Sequence, residues 1–321
     1  MSSIFFNLFL FSSFYLLGNI FIKKNFINSI LVGSLFYFFI LWIVATISLN
    51  KLVITYLLII SFILSFLYFY QKTNFSFYNK KFKIYYKKYN FFILLTALLF
   101  MIIGVGSLAP PSDYDSLNYH LSIPKRDLEF GKMLYIKSSL NEFEYFPFFN
   151  GIFNRIFLIY DLKNSSQIFN LFFLLLTSII IYQITGFFVQ DEKIKFLSIL
   201  FFLLLKNVSW EATTSYVEIT LTFGYLICIL NYLLYIKNKN NFNLIIFGLG
   251  SALCLYTKFL SLVLLFPIFF LLIYDFLSKK NYQKLFYLLI PFVLYLPFQI
   301  KNFILTGNLF YPLFSNLFEK Y

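Results

Sequence analysis

The sequence predicts an all-α, polytopic membrane protein. Of its 321 residues, 60% are hydrophobic and only 12% are charged, and its mean hydropathy is +0.80. A soluble domain carries about 25% charged residues to cover its surface. A chain with half that fraction must expose much of its surface to lipid. We therefore treat residues 1–321 as a single transmembrane domain.

Apolar runs of membrane-spanning length recur along the chain. A helix needs about 20 apolar residues to cross a bilayer. About ten spans are predicted by this measure, at 4–22, 28–50, 52–71, 91–110, 168–190, 219–236, 242–257, 259–274 and 285–300, with a weaker one at 196–205. The stretch 242–274 is too long for one span and its one charged residue is Lys258, so we expect a tight reversal there.

The lysines predict how these spans are oriented. Alternating the spans places five segments on one side, and these hold 15 lysines and three acids, a net charge of +12. The rest of the chain has a net charge of +1. Positive charge accumulates on the cytoplasmic side of membrane proteins, so this side is predicted to be cytoplasmic. The five segments are 23–27, 71–90, 190–195, 237–241 and 275–284.

This orientation divides the chain into three parts. Residues 1–90 hold the N-terminal spans and a basic cytoplasmic loop, and residues 168–321 hold the remaining spans. Residues 110–167 form a large extracytoplasmic loop with seven of the 13 acids, four of the eight prolines and the single histidine. Loops longer than about 15 residues are usually functional or disordered. The aromatic, patterned sequence of this loop favours function, so we predict that it is the catalytic loop.

Two helices lying in the membrane interface are predicted within this loop. Pro110-Pro111 ends the fourth span, and Ser112 or Asp113 can cap a short helix that runs to about Ile123, before Pro124. A second helix is predicted at 148–160, with Arg155 on its wetter face.

The loop sequence resembles a known family of membrane enzymes. PPSDYDSLNYHLSIPKRDLEFGK, followed by EYFPFFNGIF, is similar to the first extracytoplasmic loop of the GT-C clan of glycosyltransferases. In that clan an acidic motif opens an interfacial helix, and a Tyr, a Gly and a Pro-aromatic segment follow. Asp115, Tyr119, Gly131 and Phe146-Pro147 fill those places here.

Three other stretches extend the resemblance over roughly residues 91–315. Glu218 in SWEATTSYVEITLTFG, Lys258 in GLGSALCLYTKFL and Lys301 in LPFQIKNFILTGNLFYPLF match the clan's acidic and basic positions. The chain departs from the clan where Asp115 is followed by Ser116 instead of a second acid. It also has Lys301 in place of Arg and Leu309 in place of Pro.

The resemblance implies a membrane glycosyltransferase of the bacterial inner membrane. It would move a sugar, with inversion, from a polyprenyl-phosphate donor to an extracytoplasmic glycan, lipid or protein acceptor. A carboxylate near an apolar interface loses hydration, which favours a general base. Asp115 is the candidate base and Asp113 its alternate; because they are two residues apart on a helix, they point to different faces. A helix cap is the other interpretation of Asp113.

The remaining candidate site residues follow from their charge and position. Donor-phosphate ligands are predicted at Lys258, Lys301 and Arg155, since a cation at the membrane is costly and usually functional. Sugar or acceptor ligands are predicted at Glu218, Tyr119, His120 and Glu211. Asp113, Asp115 and His120 match no metal-ligand spacing, so we predict no cofactor; a divalent cation on these residues stays the alternative.

Other functions are open at this stage. A polymerase or ligase of polyprenyl-linked glycans also has many spans and a large outer loop, but its loops are typically rich in arginine. A lipid or sugar transporter (flippase) usually shows internal repeats and charges near the membrane midplane. The predicted partners are the polyprenyl-linked sugar and membrane lipids. A nucleic-acid partner is not predicted, because most of the positive charge is needed to set the orientation.

Overall fold

The computed structural model describes residues 2–22, 25–72, 79–133, 145–311 and 313, and only the backbone at 72 and 79–90. Within these ranges the chain is helical and forms no strand. Lys23, Lys24, Glu142, Glu144 and the lysines of the 71–90 segment lie outside the described side chains.

Fourteen α-helices are described. They are α1 Ser3–Phe21, α2 Phe26–Ile47, α3 Lys51–Lys72, α4 Asn79–Gly106, α5 Ser122–Glu129, α6 Phe149–Ile159, α7 Ser165–Phe188, α8 Glu192–Leu204, α9 Lys206–Glu211, α10 Glu218–Asn238, α11 Asn241–Thr257, α12 Ser261–Ser278, α13 Leu285–Leu288 and α14 Ile290–Thr306. A π-helical turn, Ser116–His120, precedes α5, and a 3₁₀ turn, Tyr282–Lys284, precedes α13.

Six of the described helices are long and apolar enough to cross a membrane: α1, α2, α3, α7, α10 and α12. The bent pair Tyr282–Leu288 and Ile290–Thr306 raises the number to seven if it is one span. The apolar helices Phe91–Gly106 and Asn241–Thr257 are shorter. These helices make the chain a multi-pass membrane protein, but the predicted count of about ten spans is not confirmed.

The reversal predicted at Lys258 is confirmed. α11 ends at Thr257 and α12 begins at Ser261, with Lys258 as the C-terminal cap residue of α11. The Lys258 backbone N–H donates to the Cys254 carbonyl, and the Ser261 N–H donates to the Lys258 carbonyl. The apolar run therefore folds back on itself at its single charged residue.

Small residues allow the first two helices to pack closely. A Cβ atom at Gly18 would lie 1.8 Å from the Ser29 carbonyl oxygen, and one at Gly33 would lie 1.9 Å from the Phe14 carbonyl oxygen. Helix pairs in lipid associate through such contacts between small residues. α1 also packs on α3 and α7, and α10 packs between α7 and α11.

Three lysines of the predicted cytoplasmic segments lie together at one end of the bundle. Lys239 Nζ lies 3.7 Å from an Asp275 carboxylate oxygen, and Lys284 Nζ donates to the Tyr235 hydroxyl at 3.0 Å. Lys237 Nζ lies 5.5 Å from the centre of the Phe187 ring. These contacts join the C-terminal ends of α7, α10 and α12, which we call the lysine-rich end.

The segments between α4 and α7 cover the opposite end, which we call the loop end. Two backbone hydrogen bonds connect them to the end of α2 and the α2–α3 turn: Leu49 N–H to the Gly131 carbonyl, 2.7 Å, and Met133 N–H to the Ala45 carbonyl, 2.8 Å. The charges of Glu218 and Lys258 lie at this end, at the start of α10 and the end of α11.

Both predicted interfacial helices need correction. The first is replaced by the π-helical turn and α5, and Pro124 lies inside the first turn of α5, where its missing N–H costs nothing. The second corresponds to α6, which is buried and packs against α2, α5, α7 and α11. Its fully buried Phe149 and Phe153 belong to the aromatic core, so α6 packs its apolar face against protein and not against lipid.

Candidate active site

A cavity of about 360 Å³ opens at the loop end of the bundle. Its walls are mainly aromatic and aliphatic, supplied by α6, α14, the α11–α12 turn and the 145–148 and 309–313 segments. Five of the predicted site residues lie in its lining: Tyr119, His120, Arg155, Glu218 and Lys258. The cavity therefore combines an apolar interior with groups able to bind a charged or hydroxylated ligand.

The Asp113–His120 segment is held against the loop before α10. The Asp113 carboxylate accepts a hydrogen bond from the Ser116 N–H at 2.9 Å, which confirms the helix-cap interpretation of Asp113. The buried Ser116 hydroxyl accepts one from the Ser215 N–H at 3.0 Å. These bonds bring the acidic motif next to Tyr216 and Glu218, which lie about one hundred positions further along the chain.

Two tyrosines lie close to the two aspartates. The Asp115 carboxylate lies near the Tyr119 hydroxyl, and the carboxylates of Asp113 and Asp115 both lie near the Tyr216 hydroxyl. Burial raises the pKa of Tyr119, and the negative charges of Asp115 and Glu218 raise it further. Burial and the charges of Asp113 and Asp115 raise the pKa of Tyr216 to about 12. Both hydroxyls therefore stay protonated at neutral pH and act as donors.

His120 stands at the centre of this polar group. Its ring centre lies 4.2 Å from that of Tyr119 and 5.8 Å from that of Tyr216. Burial lowers the pKa of His120 to about 4, against the opposing effect of Glu218, Asp115 and Asp113. The imidazole is therefore neutral at pH 7. It can hydrogen-bond a sugar hydroxyl, but it does not supply a positive charge for phosphate.

Lys258 and Glu218 form an ion pair on the cavity lining. Lys258 Nζ donates to Glu218 Oε1 at 2.8 Å, and the side chains are 46% and 30% exposed. The second oxygen of Glu218 accepts from the Val217 N–H at 3.0 Å, which fixes the carboxylate at the start of α10. A cation of this kind, accessible and paired with only one carboxylate among the described residues, can still bind an anionic ligand.

Lys301 lies among the aromatic walls of the cavity. Its Nζ is 4.3 Å from the centre of the Phe298 ring, 5.4 Å from that of Phe148 and 5.7 Å from that of Tyr145. The neighbouring Asn302 amide donates to the Tyr145 and Tyr311 carbonyls, each at 3.2 Å, and so connects the two wall segments to α14. Both predicted membrane lysines are thus at the same cavity.

Arg155 differs from its prediction. It is buried, not on a wetter face, and its Nε donates to an Asp127 carboxylate oxygen at 3.0 Å, while Nη1 donates to the Gly151 carbonyl at 2.8 Å. Asp127 is fully buried and also accepts from Arg126 at 2.9 Å. This ion pair connects α5 to α6 beside the cavity, because two charges buried this far from water need each other.

Glu211 is at the end of α9, one turn before the Thr214–Tyr216 segment. Burial, together with the nearby charge of Glu218, raises the pKa of Glu211 to about 7, although Lys258 partly opposes this. Its carboxyl group exchanges a proton near neutral pH, which is a property of general acids and bases.

Several positioning residues were missed in the sequence. The Asn170 amide donates to the Thr214 and Tyr216 carbonyls at 2.9 and 2.7 Å, and Asn154 donates to the His120 carbonyl at 3.0 Å. Asn150 donates to Thr220 Oγ1 at 3.1 Å. The sequence signal was present: Asn150, Asn154 and Arg155 form a polar stripe on an otherwise apolar helix, and buried polar groups need partners.

No group of three or more His, Cys, Asp or Glu side chains suited to a metal ion occurs among the residues that the structure describes. Comparison of the chain with protein-family models, with curated proteins and with solved structures finds no match.

Proposed function

We propose that the chain is a glycosyltransferase that moves a sugar from a polyprenyl-phosphate donor to an acceptor at the loop end. One observation carries the proposal: a single aromatic cavity has Lys258 on its lining, Lys301 against its walls and the Asp115–Tyr119 pair beside it. Such a transfer needs three components: cations that bind the leaving phosphate, a carboxylate that removes a proton, and apolar walls that accommodate the lipid.

In this proposal the two lysines hold the phosphate of the donor. Lys258 reaches the cavity from the α11–α12 turn and Lys301 from α14. Arg155 is not included, because its guanidinium already donates to Asp127 and to the Gly151 carbonyl. As the glycosidic bond breaks, the electron pair stays on the phosphate oxygen, and the two ammonium groups stabilise that charge.

Asp115 takes the proton of the acceptor hydroxyl as that oxygen attacks the anomeric carbon from the opposite side, which inverts its configuration. Tyr119 lies next to the Asp115 carboxylate and in the cavity lining. Glu218, His120 and Glu211 bind sugar or acceptor hydroxyls. The neutral His120 suits this role better than a role at the phosphate.

The proposed location is a bacterial inner membrane, with about ten spans, the lysine-rich end in the cytoplasm and the loop end outside. In the six described candidate spans, the described charged side chains lie in the first or last turns. Transporters instead place charges near the midplane. This distribution favours a transferase over a flippase.

Membranes containing the full chain provide the test. One sample of these membranes is given a radiolabelled hexose or pentose on polyprenyl phosphate, and a second sample is given the same sugar on a nucleotide. We expect label to move to an acceptor fraction, with release of polyprenyl phosphate, from the lipid donor only. Elongation of a polyprenyl-linked glycan would show a polymerase instead. Movement of the intact labelled lipid across the bilayer, without cleavage, would show a flippase.

A further inference from the structure

An apolar groove of about 510 Å³ lies between α12 and the α13–α14 pair, away from the cavity. All of its lining residues are Leu, Ile or Phe. Three of them, Phe266, Phe270 and Leu289, are 67%, 58% and 50% exposed, so the groove opens to the surroundings of the bundle. In a membrane-spanning segment those surroundings are lipid chains.

A bend in the chain shapes the groove. The axes of Tyr282–Leu288 and Ile290–Thr306 differ by 40°, and Leu288 and Leu289 at this break are both lining residues. Pro291 has no backbone N–H, which prevents a continuous helix through the break. The bend moves α13 away from the line of α14 and leaves a recess beside α12.

The lysine-rich end begins where the groove ends. Leu285 lines the groove, and the preceding residue is Lys284, whose Nζ donates to the Tyr235 hydroxyl. Lys279 and Lys280 lie in the same turn after α12 and are exposed. We call residues 279–284 the basic turn. Asp275 is the carboxylate described next to it, and it binds Lys279 and Lys239, so positive charge remains in excess.

We propose that the groove and the basic turn together bind one anionic phospholipid. An acyl chain fills the apolar groove along α12, and the phosphate of the headgroup lies against Lys279, Lys280 and Lys284. Basic pockets next to membrane helices select anionic headgroups over neutral ones in this way. A phospholipid can contact both the positive charge and the uncharged groove that leads from it. A free phosphate has no acyl chain to bind the groove, so the site selects the phospholipid. The proposal is independent of the reaction at the loop end.

Native mass spectrometry of the full chain, released from detergent micelles, tests this site. The micelles contain equal amounts of phosphatidylglycerol and phosphatidylcholine with identical acyl chains. We expect one phosphatidylglycerol to be retained in preference to phosphatidylcholine. In K279Q/K280Q that preference should fall by about fivefold for each lysine removed. The matched control K193Q/K237Q removes two exposed lysines from the same end, away from the groove, and should keep it.

A second pair of variants tests the groove itself. Leu289→Trp fills the groove and should reduce retention of phosphatidylglycerol, whereas Leu264→Trp, at an exposed α12 position outside the lining, should not. Equal retention of both lipids by the unmodified chain would overturn the proposal. An equal effect of the two lysine pairs, or of the two Trp variants, would also overturn it. Displacement of phosphatidylglycerol by polyprenyl phosphate would assign the groove to another lipid and reject the phospholipid.

Discussion

Lys258 and Glu218 are 40 positions apart in the sequence, and in the folded chain Lys258 Nζ donates to Glu218 Oε1 at 2.8 Å. The pair joins the end of α11 to the start of α10 on the lining of the cavity. It brings together a predicted phosphate ligand and a predicted sugar ligand. Because both side chains are partly exposed, the pair itself contributes only about 0–1 kcal/mol to stability.

Replacing Lys258 should therefore affect binding more than folding. We expect Lys258→Gln to weaken binding of polyprenyl phosphate by about tenfold, since a hydrogen bond to a charged group is lost. Binding of the matched polyprenol, which lacks the phosphate, should not change. Isothermal titration of the purified chain measures both. Lys163→Gln, at an exposed position of the same loop region, is the control. If the substitution weakened binding of polyprenyl phosphate and of polyprenol equally, Lys258 would not be a ligand of the phosphate.

Asp115→Asn should abolish sugar transfer while the protein still accumulates and folds. The amide keeps the size of the side chain but cannot accept a proton, and loss of a general base costs about 10²–10⁴-fold in rate. The measurement is transfer of labelled sugar from the polyprenyl-phosphate donor. Asp161→Asn is a suitable control, because Asp161 is exposed and its left-handed backbone (φ 54°) is tolerated by Asn. Substantial activity in the Asp115 variant would reject this residue as the base.

The buried Arg155–Asp127 ion pair should contribute far more to stability than the partly exposed Lys258–Glu218 pair. Asp127→Asn or Arg155→Gln leaves one charge buried without its partner, which costs about 3–5 kcal/mol. The double variant D127L/R155M removes both charges and should be less destabilised than the sum of the single changes. Thermal unfolding in detergent measures this, with Glu218→Gln as the exposed-pair control. Additive effects would contradict direct coupling of the two residues.

Glu211 should make stability depend on pH. The pKa of its carboxyl is about 7 in the folded chain, against 4.5 when free, so the unfolded chain releases this proton first as the pH rises. Below pH about 4.5 the thermal midpoint of the wild type should equal that of Glu211→Gln. As the pH rises to about 7, the wild-type midpoint should fall progressively below that of the variant. Thermal midpoints of both proteins across this range test the sign, with Glu129→Gln as an exposed control. A constant difference at all pH values would contradict the prediction.

The close contact between α1 and α2 should not tolerate a methyl group. Gly33→Ala places a Cβ atom against the Phe14 backbone, and backbone atoms cannot move aside cheaply. We expect a loss of about 1–3 kcal/mol. Gly104→Ala meets only a Leu171 methyl at 3.5 Å, an ordinary contact, and should be nearly neutral. Similar unfolding temperatures for the two variants would contradict this packing.

The hydropathy pattern by itself determined the long spans and the reversal between two of them. The runs 4–22, 168–190 and 219–236 differ from α1, α7 and α10 by at most three residues at each end. The single lysine in the 242–274 run correctly placed the reversal. Such features depend on the local demand of a bilayer for uninterrupted apolar residues.

Only the tertiary structure decided which apolar residues are buried and which charges meet. The sequence of α6 fits an interfacial helix as well as a buried one, because lipid and the protein core are equally apolar. Arg155 became a partner of Asp127 through a contact across 28 positions, and the position of Asp113 and Asp115 beside Tyr216 depends on Ser116 bonding Ser215. The pattern of apolar residues in a segment indicates whether that segment is surrounded by apolar or polar groups. The partner of a buried polar group depends instead on how distant segments pack together.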